Sequence, residues 1–143
     1  MLRNALLLIA FFFGSLGVAA EGLKVGISTD YPPLAYKQEG RIVGIEADNA
    51  TAVGAILGQE MTLMEMPFEK LIPALQAGEI DVIMSGMSVT PARGKQVIFA
   101  DPYMEIGQMA IMLMDNAGQF SQPWSIYRKG VRVGVEPGTT GAE

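Results

Sequence analysis

The distribution of apolar and polar positions divides this chain into short elements with recognisable ends. Residues 23–29, LKVGIST, are a β-branched run stopped by Asp30-Tyr31-Pro32-Pro33, so a strand followed by a loop is expected. A second short extended piece leads into the charged turn GRIVG at residues 40–44. From Ile45 the apolar residues fall at Ile45, Ala47, Ala50, Ala52, Val53, Ile56 and Leu57, which is helical spacing, and Gly58 ends it. Residues 61–68 are extended again. Leu71, Ile72 and Leu75 then share a helix face that Gly78 closes, with Pro73 early enough to sit in the first turn. DVIMSGM, residues 81–87, has little polar alternation, as a parallel strand covered on both faces would.

The next stretch, TPARGKQV, predicts a short helix with Thr90 as N-cap and Pro91 as its first residue. Residues 98–114 read as mostly extended, and Met84, Met109, Met112 and Met114 as core filler in apolar strands. Residues 115–130 are polar and loop-rich, a short helix or a connector. VRVGVE is a last strand, and PGTTGAE opens a strand-to-helix turn. The expected order is β-α-β-α-β-α-β with short connections. That order predicts an α/β fold, a parallel sheet with helices on both faces.

The first twenty residues differ from the rest. Arg3, the apolar run from Ala5 to Phe13 and the small residues ending Val18-Ala19-Ala20 have the layout of a cleavable signal peptide, residues 1–20. The continuous apolar core is short against the ~20 residues that span a bilayer. The chain carries a net charge of −5, and loss of Arg3 makes it one unit more negative. No basic patch appears, so nucleic acid is a poor candidate partner. With no cysteine there is neither a disulfide framework nor a thiol nucleophile. With no histidine there is no Ser-His-Asp triad and no histidine-ligated zinc. No metal site or cofactor is expected.

Ligands of open parallel sheets bind beyond the carboxyl ends of the strands. The residues so placed are Asp30 and Tyr31, then Phe68, then Ser85, Gly86, Ser88, Thr90 and Arg93, and finally Glu136, Gly138, Thr139 and Thr140. Arg93 falls at the third position of the expected helix, where a cation faces the positive end of the dipole at a cost of about 0.3–1 kcal/mol. A bound anion would offset that conflict, since a guanidinium matches a carboxylate bidentately. A surface arginine paired with an acid explains it equally well. Tyr31 and Phe68 are ligand-stacking rings or plain packing. Gly138-Thr139-Thr140 is an anion-binding helix start or a cap. Asp30 is a turn former.

Four stretches, KVGISTDYPPLAY, GIEADNATAVGAILG, the run from Pro67 to Gln108 containing LQAGEIDVIMSGMSVTPAR and FADPY, and VRVGVEPGTTGAE, resemble the periplasmic solute-binding proteins of polar amino-acid importers, family 3. The resemblance implies a type II clamshell of two lobes. Residues 21–114 would be the first lobe, and 115–143 a connector with an incomplete second lobe, so the chain is expected to be truncated. It also implies roles: Arg93 grips an α-carboxylate with help from Ser88, and Ser85 and Gly86 lie at the α-amino end. Tyr31 and Phe68 flank the ligand side chain, and Thr139 and Thr140 close from the second lobe. Ser28 stands where members taking cationic amino acids often carry an acid, which weakens a lysine- or arginine-type ligand. The implied partners are an amino acid and an inner-membrane ABC permease, in the periplasm, with the complete protein a monomer. The rival readings are an enzyme of cyclohexadienyl dehydratase type, a module beside a lytic transglycosylase, and a receptor sensory domain.

Overall fold

The computed structural model describes residues 22–142. The expected signal peptide, residues 1–20, lies outside the described residues. Three parallel strands form the centre: β1 (Leu23–Ile27) lies between β5 (Met61–Glu65) and β6 (Val82–Ile83). Val25 and Ile27 are fully buried on one face of β1. Gly26 points to the other face, against Leu71 and Ile80. Central strands covered on both faces read as apolar runs, which is why β1 was legible.

A second sheet was only half anticipated. The expected extended piece is an antiparallel meander, β2 (Asp30–Tyr31), β3 (Ala35–Gln38) and β4 (Arg41–Val43). Lys37 of β3 and Glu65 of β5 tie the two sheets by an ion pair at 2.6 Å, and the Thr29 hydroxyl donates to Glu65 Oε1 at 2.6 Å. These two bonds, Lys37 first, hold the Glu65 carboxyl below the usual carboxylate range. A depressed carboxylate adds stability above that range and loses it as pH falls through it. Lys37→Met is therefore expected to raise the Glu65 midpoint in an NMR pH titration. An unmoved midpoint would show that the pair does not form in solution. The pair is exposed, so its effect on thermal stability is expected to be small.

Helix α1 (Ile45–Leu57) starts and ends where its periodicity predicts, with Gly58 in the left-handed conformation. Its buried face differs from the apolar count. Glu46, Ala47, Ala50 and Gly54 face inward, whereas Ile56 is 83% exposed. Small residues let the helix approach closely, and a side chain at 54 would strike Met61. The first amides of α1 are satisfied from the preceding loop: Ile45 N donates to Pro33 O at 3.2 Å and Glu46 N to Leu34 O at 2.9 Å. Gly44 makes this possible. Its φ is +118°, and a Cβ there would lie 2.5 Å from Leu34 O and 2.7 Å from Pro33 O. Backbone oxygens cannot swing aside. Gly44→Ala is expected to cost about 1–3 kcal/mol in urea unfolding, from backbone strain alone; a loss below half of the lower bound would contradict this packing.

Helix α2 (Leu71–Gln76) follows a single 3-10 turn, Phe68–Lys70, with Pro73 in its first turn. Leu71, Ala74 and Ile80 form a buried cluster on which Met66, Phe68 and Ile83 pack.

Four expectations are corrected. The order is not β-α-β-α-β-α-β. The TPARGKQV helix is one 3-10 turn, Arg93–Lys95, because Gly94 sits at its centre and costs about 1 kcal/mol there. Residues 98–113 and 131–136 form no strand among the described residues: a strand needs a paired neighbour, and these runs have none. Met109 and Met114 are 89% and 87% exposed and Met112 is also exposed, so they fill no core. Met84 alone of that set is partly covered.

Candidate functional site

The site begins where the β1–β6 ladder runs out. Asp81 N donates to Lys24 O at 2.8 Å and Met84 N to Gly26 O at 3.1 Å. One step further a side chain takes over: Ser28 N donates to Ser85 Oγ at 2.9 Å, and both serines are buried. Ser85 is thus fixed at the carboxyl end of the sheet, as the strand rule expects.

Gly86 turns the chain there. Its φ is +60°, and an added Cβ would lie 2.7 Å from Leu34 Cδ1 and 3.2 Å from Tyr31 Cε1. The Tyr31 ring therefore rests against the Gly86 backbone, with room for no side chain between them.

The N-cap of the 3-10 turn is Ala92 rather than the expected Thr90, though Thr90 still accepts from the turn: Arg93 N donates to Thr90 Oγ1 at 3.2 Å and Gly94 N to Thr90 O at 2.9 Å. Arg93 itself is 6% exposed. Its Nη1 donates to Ser88 O at 2.8 Å and its Nη2 to Gly138 O at 2.7 Å. The guanidinium carbon lies 5.6 Å from the centroid of the Phe68 ring. A cation over an aromatic face gains about 0.5–2 kcal/mol, more as water is excluded. Among the described residues Arg93 makes no ion pair; Lys37–Glu65 is the one found. The surface-pair reading of Arg93 does not hold. A guanidinium has more donors than these two bonds use, so capacity remains for an anion.

Gly138 also touches Glu69, beside Phe68. Gly138 therefore lies against both Glu69 and Arg93. Thr139 Oγ1 donates back to Glu136 O at 2.8 Å, and Thr140 Oγ1 accepts from Gln108 Nε2 at 2.8 Å. The two threonine hydroxyls engage their own surroundings rather than Arg93. In sum, Ser88, Arg93, Phe68 and the Gly138 turn form one group, Tyr31, Ser85 and Gly86 another, and residues 85–93 join them.

One site residue escaped the sequence reading. Glu46, in the first turn of α1, is 0% exposed. Its Oε1 accepts from Gly86 N and, at 2.5 Å, from the Tyr103 hydroxyl. Its Oε2 is buried with no hydrogen-bond partner among the described residues. Burial, and then this bond, push the Tyr103 phenol above its ordinary range. The available signal was the spacing of Glu46 with Ala47, Ala50 and Gly54: an acid on the small-residue face of a helix.

A cavity of about 470 Å³ lies between the β6–Ser88 segment and residues 97–106. Arg93, Phe68 and Tyr31 do not line it, and its charged walls are all acidic: Glu46, Asp81, Asp101 and Glu105. Ser85, Gly86 and Ser88 line it as well, so the acidic cavity adjoins the Arg93–Phe68 group, and a carboxylate is favoured at Arg93 rather than among these acids. Among the described residues no cluster of His, Cys, Asp or Glu could hold a metal, and no helix is long and apolar enough to cross a membrane.

Residues 23–137 match the family described as "Bacterial extracellular solute-binding proteins, family 3". The chain is 38% identical to the ABC transporter arginine-binding protein 1 of Escherichia coli (strain K12), over 95% of this chain and 54% of that protein. It is 34% identical to the histidine-binding periplasmic protein of Salmonella typhimurium, over 94% of this chain and 52% of that protein. Among solved structures, the ancestral amino acid-binding protein AncCDT-1, a precursor of cyclohexadienyl dehydratase, superposes with a TM-score of 0.80 at 38% identity. That superposition covers 85% of this chain and 54% of AncCDT-1. The chain thus spans about half the length of the relatives it matches. On the match across nearly all of the described residues, the chain belongs to the bacterial extracellular solute-binding proteins, family 3.

Proposed function

We propose that this chain is the first lobe and the opening of the second lobe of an amino-acid receptor that feeds an ABC importer. In this reading residues 21–114 build the first lobe and residues 115–143 begin the second. Arg93 takes the α-carboxylate of a polar amino acid, with Ser88 beside it. Ser85 and Gly86 lie toward the α-amino end, Tyr31 and Phe68 flank the side chain, and Thr139 and Thr140 close from the other side. The protein works outside the cytoplasmic membrane and hands its ligand to a membrane permease.

The observation that carries the reading is the state of Arg93. It is almost wholly buried, stacked on Phe68, held by two backbone carbonyls and unmatched by any acid among the described residues. Leaving a buried charge uncompensated is costly, and a carboxylate is the partner its fork fits. The names of the relatives, arginine-binding and histidine-binding, make those amino acids the first to try.

Isothermal calorimetry of the full-length protein against L-arginine, L-histidine and the other polar amino acids tests this. Binding of at least one at micromolar strength or tighter is expected. No heat from any of them would reject the reading. The likeness to AncCDT-1 keeps an enzyme on the same fold as a second reading; turnover of prephenate or arogenate by the full-length protein would favour it over transport.

A further inference from the structure

We infer that Glu46 is a positioning residue for ligand binding: its buried carboxylate fixes the Gly86 amide and thereby sets the turn that carries Ser85 to Ser88. The inference rests on the reading of that turn as ligand-contacting. Three observations lead to it.

The first is cost. A carboxylate with no exposure and no ion pair among the described residues is an expensive side chain to bury. An apolar residue of similar volume would fill the same space without that cost, and replacing buried ionic groups in this way is often neutral or stabilising. Core packing alone does not explain a glutamate here. One of its oxygens, Oε2, finds no partner at all among the described residues. The value of the side chain must lie in what Oε1 holds.

The second is what Oε1 holds. Its two donors come from distant parts of the chain, the Gly86 amide and the Tyr103 hydroxyl. Gly86 is the left-handed residue of the site turn. Residues on either side of it are pinned separately, Ser85 by Ser28 N and Ser88 by Arg93. The Glu46 bond is the third pin, and it falls at the one residue whose backbone is least constrained by its own side chain. Without it, the Ser85–Ser88 turn keeps its ends and loses its middle. Charge-assisted bonds to a backbone amide are stronger than neutral ones, which suits a pin on a glycine.

The third is how Glu46 is itself held. It sits in the first turn of α1, where the helix dipole favours an anion. Glu46 N bonds Leu34 O, and the Leu34 side chain packs on Gly86 from the other direction. The carboxylate and the turn it holds are therefore braced by the same loop. Tyr103 belongs to the irregular segment that follows the site turn, so one oxygen joins the helix, the turn and that segment.

The test uses the full-length protein with L-arginine and L-histidine as probes, and a backbone amide NMR spectrum. In the unaltered protein the Gly86 amide proton is expected well downfield of ordinary amides, as donors to carboxylates are; an ordinary shift would overturn the inference without any variant. Glu46→Leu removes the acceptor and is expected to weaken binding at least tenfold. Glu46→Gln keeps an oxygen for Gly86 and is expected to stay within about threefold, with a smaller downfield shift. Tyr103→Phe leaves the Gly86 bond in place and is expected to leave the Gly86 shift unmoved. A purely structural role would lower the unfolding midpoint in proportion to the loss of affinity, and would not separate Gln from Leu by binding. Glu46→Leu binding within twofold of the parent would overturn the inference while leaving the proposed function standing. Failure of the unaltered protein to bind either probe or any other polar amino acid would instead reject the function, whatever the Gly86 shift.

Discussion

Arg93→Ala in the full-length protein is expected to weaken amino-acid binding by at least tenfold, about 1.4 kcal/mol. The magnitude follows from what the side chain does. Its two bonds to Ser88 O and Gly138 O are charge-assisted and short, and each such bond contributes about 1.5–3 kcal/mol. The bond to Ser88 O lies within the proposed first lobe and does not by itself set affinity, whereas the bond to Gly138 O spans the two proposed lobes and adds to closure. Affinity comes from the remaining donors and from the unscreened charge, and a carboxylate in a dewatered site uses both. Arg93→Lys separates the two contributions. It keeps the charge and loses the planar fork, so its affinity is expected between those of the parent and Arg93→Ala. Calorimetry reads all three. Unchanged affinity in Arg93→Ala would remove the assigned role.

The largest loss of stability is expected from Leu71→Ala. Leu71 is fully buried at the centre of the α2 cluster with Ala74 and Ile80. Large-to-small changes at such positions cost about 2–5 kcal/mol, through lost transfer energy and the cavity left behind. Urea unfolding of the full-length protein measures it. A cost under about 1 kcal/mol would mean that the cluster collapses around the smaller residue. The substitution also reaches the site, because Phe68 packs on this cluster and carries Arg93 on its face. Its effect on binding is expected to be smaller than that of Arg93→Ala, since the guanidinium keeps its carbonyl partners.

What the sequence made legible follows from where local and tertiary requirements coincide. Helix α1 was legible to the residue because periodicity and a glycine end agree. Strand β1 was legible because a central parallel strand is apolar on both faces. The grouping of Ser85, Gly86, Ser88 and Arg93 could be anticipated because they share one short stretch at a strand end. The apolar spacing of α1 does not reveal its inward face, because Val53, Ile56 and Leu57 count as apolar yet stay exposed. Close approach to β5 selects the small residues instead. Residues 98–113 and 131–136 have strand-like composition, yet a strand exists only through a hydrogen-bonded neighbour that local composition cannot supply. Glu46 was missed for a related reason. An acid in a first helical turn is ordinary in a sequence, and its burial is visible only once Gly86 and Tyr103 are brought against it from 40 and 57 residues away.

The most direct measurement compares each amino acid with its decarboxylated analogue, L-arginine with agmatine and L-histidine with histamine, by calorimetry on the full-length protein and on Arg93→Ala. The parent is predicted to prefer the carboxylate-bearing ligand by at least tenfold, and Arg93→Ala to lose most of that preference. An equal preference in both proteins would place the carboxylate somewhere other than position 93 and contradict the account.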